Sequence, residues 1–213
     1  PLCLVGSEMC IRDRFIIPTY NTSSDGTGYE SARINSQNKR KFKYGRVDIS
    51  FSVPEITGVW PALWMMPEKS VYGNWPRSGE IDIVETINEK SDELVTTIHY
   101  GHDYHRQISK TTFLNQLTKL SNPIDHNKIS LIWEDKYFEW FLNDQLVFKI
   151  NFNEVENLTP NPFLEEFYLL INVAVGGNWP GPPNSTMYCN SRKSCPDVKK
   201  LIVDYIAYYE KIN

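Results

Sequence analysis

Short runs in which apolar and polar residues alternate with a period of two recur along the chain, separated by Gly, Pro, Asn and Asp. No helical period is sustained, so the chain is restricted to an all-β architecture, a sandwich or barrel. In GRVDISFSV (45–53), Val47, Ile49, Phe51 and Val53 share one face. VWPALWMM (59–66) is nearly continuous and reads as a strand buried on both sides. GEIDIVET (79–86) alternates again, and ELVTTIHYG (93–101) follows. KISLIWED (128–135) and YFEWFLND (137–144) predict a hairpin that LVFKINF (146–152) continues after an Asn143–Asp144 turn. FYLLINVAVGG (167–177) reads as a long buried strand. In the last run (200–212), Ile202, Asp204, Ile206 and Tyr208 alternate with Val203, Tyr205 and Ala207. TTFLNQLTKL (111–120) reads equally as a short helix or an irregular excursion.

One of these runs carries three acids within six residues: Glu80, Asp82 and Glu85 in WPRSGEIDIVET. Side chains alternate along a strand, so Glu80 and Asp82 share a face while Glu85 points the other way. A single β-bulge between Asp82 and Glu85 restores it to their side. Four strand steps at ~3.3 Å then give roughly 13 Å between the two Glu Cα atoms. Inward-leaning side chains bring the carboxyl groups to ~5–6 Å, the separation of a retaining glycosidase pair. Such chemistry needs one ionised and one protonated carboxyl, and crowding three on one face pushes their pKa values apart. An acidic strand facing water is the alternative; Ile81, Ile83 and Val84 between the acids, and Trp75 upstream, weigh against it.

Five segments, in order, resemble glycoside hydrolase family 16, and within it the laminarinase-like endo-β-1,3-glucanases: ESARINSQNKRKFKYGRVDISFSVP, GVWPALWMMP, WPRSGEIDIVE, TTIHYG, and FYLLINVAVGGNWPG with VDYIAYYE. The resemblance runs from about Tyr29 to Ile212. It implies a concanavalin-like jelly-roll sandwich of two antiparallel sheets with the substrate cleft on the concave face. It implies Glu80 as nucleophile, Glu85 as acid/base and Asp82 as assisting carboxylate. The longer E-x-D-x-x-E spacing resembles the bulged branch of laminarinases, agarases and carrageenases. The implied activity is retaining endo-hydrolysis of β-1,3- or mixed β-1,3/1,4-glucan. Alternatives are a non-catalytic β-glucan-binding module, or the same chemistry on agarose or carrageenan. The family's early strands, with a Trp and a D-E-F motif, have no match here, so the sandwich is expected to lack its first strands.

Aromatic residues form 13% of the chain, with 6 Trp, more than a core of this size uses. Trp75 and Trp179, flanked by Pro and Gly, read as sugar-stacking platforms. Trp60 is a candidate for the same role, although Trp60 and Trp64 read slightly better as core. Arg33 resembles a substrate-binding cleft residue, with a surface ion pair as the equal alternative. His99 resembles a residue near the scissile bond. His99, His102 and His105 straddle a strand end and a Gly turn, so they are not expected to converge on zinc. No cofactor is expected in the chemistry. The family resemblance implies a structural calcium on the convex side, held by Asp204 and the Gly45 carbonyl.

The formal net charge of -4 argues against nucleic acid as a partner. The basic run NKRKFKYGR (38–46) reads as a solvated turn entering a strand. No apolar run is long enough to span a membrane, and a monomer acting on β-glucan polysaccharide is expected. Cys189 and Cys195 could bridge, which would fit secretion; two free thiols remain the alternative. Residues 1–14 contain EMCIRDR, which resembles a translated library adapter. They are read as non-native, with 15–213 as the catalytic domain and Cys3 and Cys10 without a role. A secretion signal, if there was one, is expected upstream.

Overall fold

The computed structural model describes residues 11–21, 28–87, 92–114 and 126–211. In chain order the strands are β1 (Ile11–Ile16), β2 (Thr19–Tyr20), β3 (Tyr29–Glu30), β4 (Arg33–Asn35), β5 (Gly45–Ser52), β6 (Val59–Pro67) and β7 (Glu80–Glu85). They continue with β8 (Glu93–Tyr100), β9 (Arg106–Phe113), β10 (Asn127–Trp133), β11 (Tyr137–Leu142), β12 (Gln145–Asn151), β13 (Phe167–Val175) and β14 (Leu201–Tyr209). One six-stranded sheet has the order β1-β14-β5-β10-β11-β12, the other β4-β13-β6-β7-β8-β9, and β2 pairs with β3. All these pairings are antiparallel. The two large sheets pack face to face as a jelly-roll sandwich.

Alternation explains the core. Val47, Ile49 and Phe51 of β5 are buried against Leu63 and Met65 of β6 and Ile81 of β7 within one hydrophobic cluster. Each such side chain contributes about 1.5–3 kcal/mol by leaving water. Trp133 and Trp140 lie in this core, and the Trp133 indole donates to the Phe163 carbonyl at 3.0 Å. The β10–β11–β12 meander forms where the sequence placed it. Its Asn143–Asp144 turn has φ of 50° and 67°, the doubly left-handed geometry that suits the twist of a two-residue hairpin.

Three expectations are corrected. First, β6 is not buried on both sides. Val59, Leu63 and Met65 enter the core, while Trp60 and Trp64 stand half-buried on the opposite, outer face. Second, β14 does not keep a single phase. Val203 pairs with Phe51 and Tyr205 with Ser50, so Asp204 is an extra residue. That bulge puts Val203 on the core side together with Ile206 and Tyr208. Third, Thr111–Phe113 complete β9, an edge strand the sequence did not reveal because its residues are mostly polar. The rest of that run, 115–120, lies outside the described residues.

Residues 11–14 of the segment read as non-native form part of β1, which pairs with β14. Residues 1–10, with Cys3 and Cys10, lie outside the described residues. The Cys189–Cys195 bridge is formed, which decides between the two readings of those thiols.

Candidate active site

Strand β7 carries the bulge that the acid spacing requires. Against β8, Asp82 pairs with Thr97 and Glu85 with Val95, three residues opposite two. Against β6, Asp82 pairs with Trp64 and Val84 with Leu63, leaving Ile83 as the extra residue. Ile81, Ile83 and Val84 all enter the core. The extra residue resets the phase, so Glu80, Asp82 and Glu85 line the same cavity of about 140 Å³ on the outer face.

Each acid has a distinct environment. Glu80 accepts a hydrogen bond from the exposed Trp75 indole at 2.7 Å. Glu85 accepts one from the Trp60 indole at 2.8 Å. Burial, reinforced by the charge of Asp82, pushes the Glu85 carboxyl up to about 8, and the Trp60 hydrogen bond opposes this. Asp82 is 2% exposed. Burial first, then the charge of Glu80 and a hydrogen bond shared with it, holds the Asp82 carboxyl well above the usual range. Its Oδ2 lies 3.0 Å from His99 Nε2, within ion-pair distance, yet Oδ2 has no aligned hydrogen-bond donor among the described residues. At neutral pH, Glu85 therefore holds its proton.

The acids sit midway along a cleft. On one side the cavity continues past Arg33, Asn172 and Ala174 into a space of about 350 Å³ lined by Tyr29 and Glu30. On the other it opens, past Trp60, Glu80 and Glu85, into about 580 Å³ lined by Trp75, His99, His105, Gln107 and Trp179. Four of the six Trp line this groove. Trp75 and Trp179 are 48% and 40% exposed, as expected of stacking platforms. Trp179 packs edge-on against Trp60 with ring centroids 5.0 Å apart. Trp60 and Trp64 face the cleft, which corrects the core reading of both. Arg33 lies over the Trp64 ring, 5.2 Å from its centroid, on the groove wall. The Trp64 indole donates to Asn172 Oδ1 at 2.8 Å.

The sequence missed Asn172, Gln107, Ser109 and Thr111. Asn172 was hidden inside an apolar run, where a lone buried amide with a cleft-facing phase was the available signal. The other three sit on β9, whose alternation of polar residues resembles any solvated strand.

Similarity to known families agrees with this geometry. The family model described as "XgeA-like, catalytic GH16 domain" matches residues 2–131, more than half of the chain. The chain belongs to glycoside hydrolase family 16. Among its relatives, a glucan endo-1,3-beta-glucosidase A1 from Niallia circulans is 35% identical over 201 residues, covering 86% of this chain and 26% of that protein. A beta-glucanase from Rhodothermus marinus is 29% identical, covering 91% of this chain and 67% of the relative. The laminarinase catalytic domain from Thermotoga maritima superposes with a TM-score of 0.78 at 30% identity, covering 94% of this chain and 78% of that one. The chain thus spans about a quarter of the length of the Niallia protein.

Asp204 and the Gly45 carbonyl, expected to share one calcium ion, do not lie together. Asp204 bulges out opposite the Phe51–Ser50 step of β5, whereas Gly45 precedes Arg46, which pairs with Tyr209. Five residues of extended strand separate the two positions, roughly 16 Å at ~3.3 Å per residue. One ion cannot bind both. Gly45 instead permits a close approach of two strands. Its φ is 85°, and a Cβ there would come within 2.2 Å of the Tyr209 carbonyl.

The histidines part company. His102 stays in the β8–β9 turn, where its carbonyl accepts from Arg77. His99 and His105 meet, with His99 Nδ1 2.8 Å from His105 Nε2 and the rings stacked at 5.0 Å. The expected lack of convergence holds for His102 and fails for this pair. The tight turn is the reason: Gly101 has φ of 125°, and a Cβ there would lie 2.1 Å from the Tyr104 carbonyl. A larger cavity, about 770 Å³, lies along Tyr188, Cys189, Ser191 and Lys199, and no carboxylate among the described residues lines it. Its size does not make it the site, because the chemistry-bearing groups are in the groove.

Proposed function

We propose that this protein hydrolyses internal linkages of β-1,3-glucan, or of mixed β-1,3/1,4-glucan, with retention of anomeric configuration. A carboxylate oxygen of Glu80 attacks the anomeric carbon as the glycosidic C–O bond breaks, and the proton on Glu85 passes to the departing sugar oxygen. Glu85, now ionised, takes a proton from water. The water oxygen then displaces Glu80 from the anomeric carbon, which restores both groups. Asp82, which shares a hydrogen bond with Glu80, disperses the charge of that carboxylate as it enters and leaves the covalent intermediate. Trp75 supplies a second donor to the same carboxylate.

The observation that carries this reading is the extra residue at Ile83, which aims all three carboxyl groups into the middle of an open groove. Space on both sides of the acids supports cleavage within a chain rather than at its end. The glucanase and laminarinase relatives support a glucan as substrate. Three converging carboxyls, of which burial raises the pKa of Asp82 and Glu85, favour catalysis over a binding module, since stacking on Trp75 and Trp179 would suffice for binding alone. The disulfide supports secretion into an oxidising compartment.

Reducing ends should appear on incubation with laminarin, more slowly with lichenan and not with agarose. They should vanish in Glu80→Ser while laminarin binding survives. A wild-type protein that binds laminarin but cleaves no β-glucan would overturn the proposal.

A further inference from the structure

Glu80, Asp82 and His99 each place one ligand-type atom within 4.8 Å of the others. The innermost contact is informative. Asp82 Oδ2 and His99 Nε2 lie 3.0 Å apart, yet Oδ2 accepts no aligned hydrogen bond from any described residue although its side chain is almost wholly buried. Two donors on a tetrahedral zinc at ~2.0–2.1 Å bonds are separated by roughly 3.3 Å. The Asp82–His99 pair already has nearly this spacing. Glu80, half-buried on the groove wall, can swing in as the third ligand, and the groove leaves the fourth position open.

The surroundings favour a metal on His99 Nε2. Its other ring nitrogen, Nδ1, lies 2.8 Å from His105 Nε2. If Nδ1 carries the proton and donates it to His105, Nε2 presents a lone pair toward Asp82. A partner that fixes the far nitrogen in this way is what holds a metal-ligating histidine in its tautomer and orientation. The mixed nitrogen and carboxylate donors suit borderline ions such as zinc or copper(II) over calcium or magnesium.

We propose that Glu80, Asp82 and His99 form an inhibitory binding site for a divalent transition-metal ion, zinc foremost, with His105 as the positioning residue behind it. A metal there ties up the attacking carboxylate and occupies the position of the scissile linkage. Binding of zinc and sugar is therefore mutually exclusive. The inhibition rests on the proposed hydrolase activity; the binding of zinc does not.

Calorimetric titration of the full chain with zinc chloride tests the site directly. A site of unit stoichiometry is expected that is lost in His99→Ala, is weakened about 10- to 100-fold in His105→Phe, and is unchanged in His102→Ala. His105 is exposed, so its replacement leaves folding intact. Zinc should also raise the KM for laminarin with little change in kcat. Zinc that binds equally well to the wild type and His99→Ala, or fails to bind at millimolar concentration, would overturn the proposal, as would inhibition through kcat alone. If zinc binds as described while laminarin is never cleaved, the metal site stands and the hydrolase reading falls. Brisk cleavage without zinc binding gives the reverse.

Discussion

Glu85 concentrates the electrostatics of the groove. It titrates near 4.5 in an unfolded chain and near 8 in the fold. Between these values the folded state holds a proton that the unfolded state has released, so stability falls as pH rises through this window. Glu85→Gln removes that loss. Its melting temperature should match the wild type at pH 4 and exceed it increasingly towards pH 8, by the equivalent of a few kcal/mol. The same variant should lose about 10²- to 10⁴-fold in kcat on laminarin, because the leaving oxygen no longer receives a proton. A separate check isolates the Trp60 indole. Its hydrogen bond favours the charged form of Glu85, so Trp60→Phe should move the basic limb of the kcat profile to higher pH. A limb that stays in place or moves down would separate that limb from Glu85.

Strand β7 shows how much can depend on one backbone residue. Deleting Ile83 removes the bulge and turns Glu85 toward the core, since a one-residue slip reverses every later side chain. That deletion should abolish hydrolysis and cost at least ~4 kcal/mol, through a lost buried side chain and a misplaced carboxyl. Ile83→Val keeps the residue count and should cost only about 0.5–1.5 kcal/mol, with hydrolysis intact. Retained activity in the deletion would refute the phase argument. The second bulge, at Asp204, had no comparable sequence signal. Three acids that must converge for chemistry imply a correction to the phase of β7, whereas nothing in the sequence of β14 demands one.

Across the whole molecule, the Cys189–Cys195 loop supports one end of the groove. Cys189 forms a β-bridge with Thr19, and its carbonyl accepts from the Tyr20 amide at 2.9 Å. Tyr188 packs edge-on against Tyr29 at 5.0 Å, and Arg192 pairs with Glu30 at 2.8 Å. The chain then runs from β3 into β4 and Arg33. Replacing both cysteines by Ser should destabilise the fold by about 2 kcal/mol, as expected for a short closed loop. That corresponds to ~4–8 °C in a domain of this size. The KM for laminarin should rise more than kcat falls, since the Arg33 wall loosens while the acids stay in place. Calorimetry with steady-state kinetics on the double variant checks both.

The sequence by itself determined the all-β architecture, the core face of β5, the meander with its Asn143–Asp144 turn, and the acids with the bulge they need. These rest on local rules, the two-residue strand period and the φ preferences of particular residues, which act within a few positions of the chain. The tertiary structure decided which face of β6 carries Trp60 and Trp64, where Asn172 points, that His105 reaches His99, and that Asp204 lies far from Gly45. Each of these depends on which strands lie side by side and at what register. A half-buried indole lining a groove has the same sequence signature as one in the core. Curvature and partner choice are set by the packing of all the strands together, and no single segment encodes them.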